Sequence, residues 1–109
     1  VLVGHPAVAE AGAIGVPHEI KGESVVCFVV LRPGNTPSEV LRAELSESVA
    51  QAMGKALKPE RVLFTRDLPK TRSAKIVRRV IRATYLGKPV GDISSLENHE
   101  AVKAIGEAS

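Results

Sequence analysis

A chain of 109 residues that is 44% hydrophobic and 25% charged has room for one modest core and not for a cofactor-binding fold with a second lobe. Its single cysteine, Cys27, excludes an internal disulfide, and no apolar run approaches the roughly 18 residues of a membrane span. The net charge of +3 is mild but uneven: eleven of the fifteen Lys and Arg residues lie between Lys55 and Lys88, opposed there only by Glu60 and Asp67. That asymmetry points to an anionic partner near the middle of the chain. No signal peptide is visible, so a cytoplasmic location is expected. The opening at Val1, without Met or a polar leader, reads as a cut from something longer.

Residues 7–17, AVAEAGAIGVP, alternate Val8, Glu10, Gly12, Ile14 and Val16 with Ala7, Ala9, Ala11, Ala13 and Gly15. Small residues at period two predict a strand packed closely on both faces, with Pro17 and Lys21-Gly22 signalling the turn after it. Residues 24–31, SVVCFVVL, are continuously apolar and rich in β-branched side chains, as in a central strand. Cys27 within that run reads as a buried, inert thiol. RPGNTP then breaks the chain.

Thr36-Pro37-Ser38-Glu39 has the form of a capping box with proline at the first helical position. Leu41, Leu45, Val49 and Met53 follow at every fourth residue, and Gly54 is the expected stop. RVLFT, residues 61–65, reads as a third strand. A second helix is expected from about Ala74 to Leu86, ended by Gly87, Pro89 and Gly91. The tail segment 92–109 has a weak helical pattern around Ala101, Val102 and Ile105. The order predicts one α+β domain over residues 1–109, a small, roughly three-stranded sheet with packed helices and a basic loop leading into a C-terminal helix.

That loop reads LPKTRSAKIVRR, residues 68–79, with five cations and no acid. In a helix starting at Ala74, Lys75, Arg78, Arg79 and Arg82 share one face. Ile76, Val77, Val80, Ile81 and Thr84 form an apolar stripe beside it. Ser73 is then the N-cap and Lys75 sits in the first turn, where a cation opposes the helix dipole. An anion held between free backbone N–H groups and the ammonium relieves that conflict; a solvated basic face with Lys75 turned outward is the alternative.

A nucleic-acid-binding module is a rival use for so many cations. The chain has no Trp, one Tyr and two Phe, and Phe28 and Phe64 sit in predicted strands, which leaves almost nothing for bases to stack on. His5, His18 and His99 are scattered, with no Cys at ligand spacing, so capping or surface roles are expected and no metal site.

LPKTRSAK followed by IVRR resembles the C-terminal signature of the acyl-adenylate-forming enzymes, most of all the acetyl- and acyl-CoA synthetases, in the form L-P-K-T-R-S-G-K-I-x-R-R. HPAVAEAGAIGVPHEIKGESVVCFVVL resembles the opening of the same C-terminal domain and GDISSLENHEAV its tail, so the resemblance covers nearly the whole chain. It implies the small mobile lid of an ATP-dependent carboxylic acid–CoA ligase. The large N-terminal domain of such an enzyme, absent from this chain with its hinge, binds the acid and ATP with its Mg. Acid and ATP give an acyl-adenylate and pyrophosphate; the small domain then rotates, and the acyl group passes to the thiol of coenzyme A. ATP and coenzyme A are therefore implied as substrates of the parent, with nothing bound by this domain alone, and the isolated fragment is expected to be inactive.

The last lysine of the signature, which serves the first step, falls on Lys75, with Pro69, Lys70, Thr71, Arg72, Ser73 and Ala74 as its supporting loop. Arg78, Arg79 and Arg82 are then support or partner-domain contacts. A lysine acyltransferase or deacylase acting on Lys75 is a further implied partner. Lys58 and Arg61, in ALKPERVLF, match a basic stretch that lies near the nucleotide end of coenzyme A in related ligases, whereas Ala50 and Gln51 stand where acetate-type enzymes often carry Arg or Lys. Ala74 replaces the usual glycine. At positive φ that costs about 1 kcal/mol or more, and in a first helical turn it costs nothing. The alternatives are a non-CoA adenylating domain of the peptide-synthetase or luciferase type, and the nucleic-acid module.

Overall fold

The apolar run of residues 24–31 lies in β2 (Gly22–Leu31), the middle strand of a three-stranded sheet of order β1-β2-β3. The computed structural model describes residues 5–18, 22–54 and 58–108. Around β2 it places β1 (Val8–His18), α1 (Glu39–Met53), β3 (Arg61–Phe64), α2 (Arg78–Tyr85) and α3 (Glu100–Ala108). Alternate residues of β2 feed two cores. Val26 and Phe28 pack with Ile14, Val16, Leu63, Leu68, Ile81 and Ile105 on one face. Cys27 and Val29 pack with Val8, Leu45, Val49 and Val62 on the other. A strand buried on both faces has no place for a polar alternation, which is why this one reads as continuous hydrophobic sequence. Burial pushes the Cys27 thiol up to about 11, in keeping with an inert core side chain.

β1 pairs antiparallel with β2, and the register shifts between Val8 and Glu10. This bulge turns Val8 toward α1 and sets Glu10, Gly12, Ile14 and Val16 toward α2. The close packing expected on both faces of β1 is only partial, since Ala13 is exposed. β1 also runs past the expected break, through Pro17 to His18, which an edge strand tolerates. Lys21, the other turn signal, lies outside the described residues. β3 pairs parallel with β2, so the chain must cross over between them, and α1 is that crossover.

α1 begins two residues later than the capping-box reading. Ser38, not Thr36, is the N-cap, its hydroxyl accepting from the Leu41 N–H at 3.1 Å, and Pro37 stays outside the helix. Leu45 and Val49 are buried, Met53 is 53% exposed, and Gly54 ends the helix at φ 95. The weak pattern in the tail forms α3, whose Ala101, Ala104 and Ile105 are buried. Arginines cover the free carbonyls at both sheet edges. Arg42 Nε donates to the Val62 carbonyl at 2.7 Å with its guanidinium over the Phe64 ring, and Arg82 Nε donates to the Gly15 carbonyl at 2.8 Å.

Gly12 lets α2 and the segment before it approach β1. A Cβ there would lie 3.3 Å from Ile81 Cδ1, 3.6 Å from Ile76 Cγ2 and 3.9 Å from Leu68 Cδ1. Gly12→Val is expected to lower stability by about 1–3 kcal/mol, and Gly12→Ala by less. Urea denaturation measures both, and a valine variant as stable as the parent would contradict this packing.

Candidate active site

Residues 69–77 form a tight hairpin. Val77 N–H donates to the Pro69 carbonyl at 2.9 Å, Thr71 N–H to the Lys75 carbonyl at 3.0 Å and Ala74 N–H to the Thr71 carbonyl at 2.9 Å, with Lys70 and Ile76 bridged antiparallel. Arg72, Ser73 and Ala74 make the tip. Ala74 has φ 65, the left-handed conformation that closes a three-residue hairpin loop. The Thr71 and Ser73 hydroxyls lie 3.0 Å apart across the tip.

The second helix expected from Ala74, with Ser73 as its cap, is therefore a misreading. The Lys75 carbonyl and the Val77 N–H are committed to residues 71 and 69, so α2 cannot begin before Arg78; Val77 precedes it with no side-chain cap bond. Lys75 lies on the returning arm of the hairpin, beside the strained alanine. The dipole conflict and the shared face of four cations both fall away. Of the two readings of Ala74, the costly one holds.

The hairpin is stapled at its base. Leu68 and Pro69 are buried. Lys70 Nζ reaches both Glu10 oxygens at 2.7 and 2.6 Å and lies 3.6 Å from Asp67 Oδ1, with 24% of its side chain exposed. The hydrogen bond to Glu10 raises the Lys70 pKa above the ordinary lysine value, more than burial lowers it. Asn98, just ahead of α3, accepts from the Lys70 N–H at 2.8 Å and donates to Asp67 Oδ2 at 2.8 Å and to the Leu68 carbonyl at 2.7 Å. Glu97 N–H donates to the Lys70 carbonyl at 2.9 Å, and Thr71 is bridged to Leu96.

The remaining cations divide by partner. Arg79 donates to the carbonyls of Val90 and Asp92, and Arg82 is taken by Gly15. Arg72, Lys75 and Arg78 are exposed and have no side-chain partner among the described residues. Lys58 and Arg61 lie away from the hairpin, at the entrance to β3. Lys58 is exposed, 3.6 Å from Glu47, and Arg61 donates to the Tyr85 hydroxyl at 3.0 Å, at the far end of α2. Glu10, Asp67 and Asn98 were not expected at the site. A carboxylate at Glu10, on the alternation of Gly12, Ile14 and Val16, was a legible signal; Asn98 had none.

The arrangement is that of a small α+β domain that ties the base of a hairpin to β1 and to the segment ahead of α3 and leaves Lys75 exposed on the returning arm. The sequence model described as the AMP-binding enzyme C-terminal domain matches residues 1–75, ending on that lysine, and the chain belongs to this family. It is 54% identical over 104 residues to the acetyl-coenzyme A synthetase of Methanothrix soehngenii, covering 95% of this chain and 16% of that protein. With the 3-hydroxypropionyl-coenzyme A synthetase of Sulfurisphaera tokodaii it shares 48% over 108 residues, covering 99% of this chain and 16% of that protein. The chain thus spans about a sixth of the length of these relatives. Among solved structures, a Brucella canis acyl-CoA synthetase superposes with TM-score 0.75 at 37% identity, over 79% of this chain and 16% of that one. The acetoacetyl-CoA synthetase from Streptomyces lividans has TM-score 0.82 at 19% identity, over 97% of this chain and 16% of that one, a likeness of fold alone.

Ala74→Gly is expected to raise stability by about 1 kcal/mol, because glycine adopts φ 65 without a Cβ clash; denaturant midpoints measure it. Lys70→Met is expected to cost about 1–2 kcal/mol through the neutral range. Because folded Lys70 holds its proton more tightly than free lysine, its contribution is complete below 10.5 on that group's titration and is lost as pH rises through its raised value. The stability difference between parent and variant should therefore shrink only in strongly alkaline solution. A difference that disappears between pH 7 and 9 would be incompatible with the pairing.

Proposed function

We propose that this chain is the C-terminal domain of an AMP-forming carboxylic acid–CoA ligase, which converts acid, ATP and coenzyme A to acyl-CoA, AMP and pyrophosphate, and that Lys75 serves the adenylation step. The observation that carries the reading is the contrast within the hairpin: Lys70 is paired and its backbone pinned, while Lys75 is exposed and has no partner among the described residues. The names of the relatives support a short acid as substrate.

In that reaction a carboxylate oxygen bonds to the α-phosphorus as the bond to the pyrophosphate oxygen breaks. Two anions must meet. An ammonium brought in beside them neutralises the charge that builds on the non-bridging oxygens, without giving up its proton. A flexible stem on a rigid hairpin suits a group that enters with a moving domain, where the planar fork of arginine would demand one fixed approach. The large domain of the parent supplies the ATP and acid sites, and this one supplies the cation.

Lys58 and Arg61 are our candidates for the nucleotide end of coenzyme A, with Arg61 exchanging its bond to Tyr85 for a phosphate. Lys75 is equally open to an acyltransferase. Acylation there removes the charge and stops adenylation, and intact-mass analysis of the native protein that never finds Lys75 modified would count against it.

In the full-length parent, Lys75→Ala is expected to lower ATP–pyrophosphate exchange by about 10²–10³. Thioester formation from supplied acyl-adenylate and coenzyme A should stay near the parent rate. Parental rates in both assays, or equal losses in both, would remove Lys75 from this step.

A further inference from the structure

Asparagine side chains just ahead of a helix ordinarily bond to the backbone nearby. Asn98 does not. All three of its side-chain hydrogen bonds run to residues 67–70, some thirty positions away in sequence. Its Oδ1 takes the Lys70 N–H, and both Nδ2 protons are used, one on Asp67 Oδ2 and one on the Leu68 carbonyl. Two acceptors on one side and one donor on the other allow only this orientation of the amide.

We propose that Asn98 is a positioning residue for the Lys75 hairpin, setting from the α2–α3 linker where the ammonium stands. This rests on the adenylation reading of Lys75. Both backbone groups of Lys70 are held from the linker, its N–H by Asn98 and its carbonyl by the Glu97 N–H. Lys70 is in turn bridged to Ile76, the neighbour of Lys75. Asn98 also orients Asp67, whose Oδ1 receives the Leu68 N–H at 2.9 Å and faces Lys70 Nζ. The linker itself is fixed, because Arg79 of α2 donates to its Val90 and Asp92 carbonyls. The linker is thus held by α2 at Val90 and Asp92 and holds the base of the hairpin from Glu97 and Asn98, whose amide makes no other hydrogen bond among the described residues. A shift of about 1 Å in a reacting group costs on the order of 10² in rate, so Asn98 controls the chemical step without touching substrate.

The test uses the full-length parent carrying Asn98→Ala, Asn98→Asp, the exchange Asp67→Asn with Asn98→Asp, and Lys75→Ala. Asn98→Ala is expected to lower kcat for adenylation about 10–100-fold with KM for acid and ATP unchanged. Thioester formation from supplied acyl-adenylate should be kept, which also reports that the domain is folded. Asn98→Asp sets two carboxylates against each other and should be as slow. The exchange restores a donor–acceptor pair between positions 67 and 98 but leaves the Leu68 carbonyl without its donor, so it should be faster than Asn98→Asp while remaining slower than the parent. Parental adenylation in Asn98→Ala, a parallel loss in both half-reactions, or an exchange no faster than Asn98→Asp would each overturn the proposal. If Lys75→Ala leaves adenylation unchanged, the function proposed for Lys75 fails and takes this inference with it. If Lys75→Ala is slow while Asn98→Ala is not, the inference about Asn98 fails alone.

Discussion

The backbone pairing of residues 69–71 with residues 75–77 decides most of what surrounds Lys75. Once the Lys75 carbonyl and the Val77 N–H are bonded across the hairpin, neither is available to a helix, and α2 must start at Arg78. That start fixes the rotation of α2. Val80 and Ile81 turn to the sheet and are buried, Arg82 reaches the free carbonyl of Gly15, and Arg79 reaches the linker. It also removes Lys75 from a helix N-terminus, where the partial positive charge of the backbone would oppose the ammonium. A lysine held next to a helix start and one held on a hairpin arm have the same spacing in sequence, yet they differ in field and in reach.

The cluster of cations between Lys55 and Lys88 serves two purposes. Part of it holds the domain together. Lys70 is paired with Glu10, Arg66 with Glu107 and Arg61 with the Tyr85 hydroxyl, while Arg79 and Arg82 bind backbone carbonyls. Guanidinium groups suit that task because one planar fork can reach carbonyls that no N–H in the sheet can serve. Another part is left outward: Arg72, Lys75 and Arg78 are exposed around one hairpin. Like charges at such separation are mildly unfavourable in isolation, and a surface that gathers them is suited to meet negative charge.

How legible this was depends on the range of the interactions involved. β2, β3 and the body of α1 follow from local periodicity, and the domain class follows from their order. The hairpin does not, because its bonds join residues whose own pattern reads equally well as a helical stripe; Ile76 and Val77 fit both. Ser38 and Thr36 are both good caps, and only the path of the chain out of β2 separates them. At the site, the motif pointed to Lys75 through resemblance, and the structure adds the reason the loop is rigid. Glu10 shares the inward alternation of Gly12, Ile14 and Val16, so its side of the sheet was legible while its partner sixty residues on was not, and Asn98 acts through bonds across thirty residues. Lys70 was grouped with the loop as part of the signature, and it proves to be the residue through which the loop is tied to the sheet.

Ala74 is the point at which these demands meet. The hairpin needs a left-handed residue at that position, and alanine there is strained by about 1 kcal/mol relative to glycine. The strain persists because the surroundings over-determine it: the Thr71, Ala74 and Val77 N–H groups are all bonded within the hairpin, and its base is fixed to Glu10 and Asn98. Alanine has fewer alternative conformations than glycine, so a hairpin closed by it has less freedom at the residue directly before Lys75. Beyond that pinned backbone the Lys75 side chain is exposed, and it is the group we propose meets the phosphate.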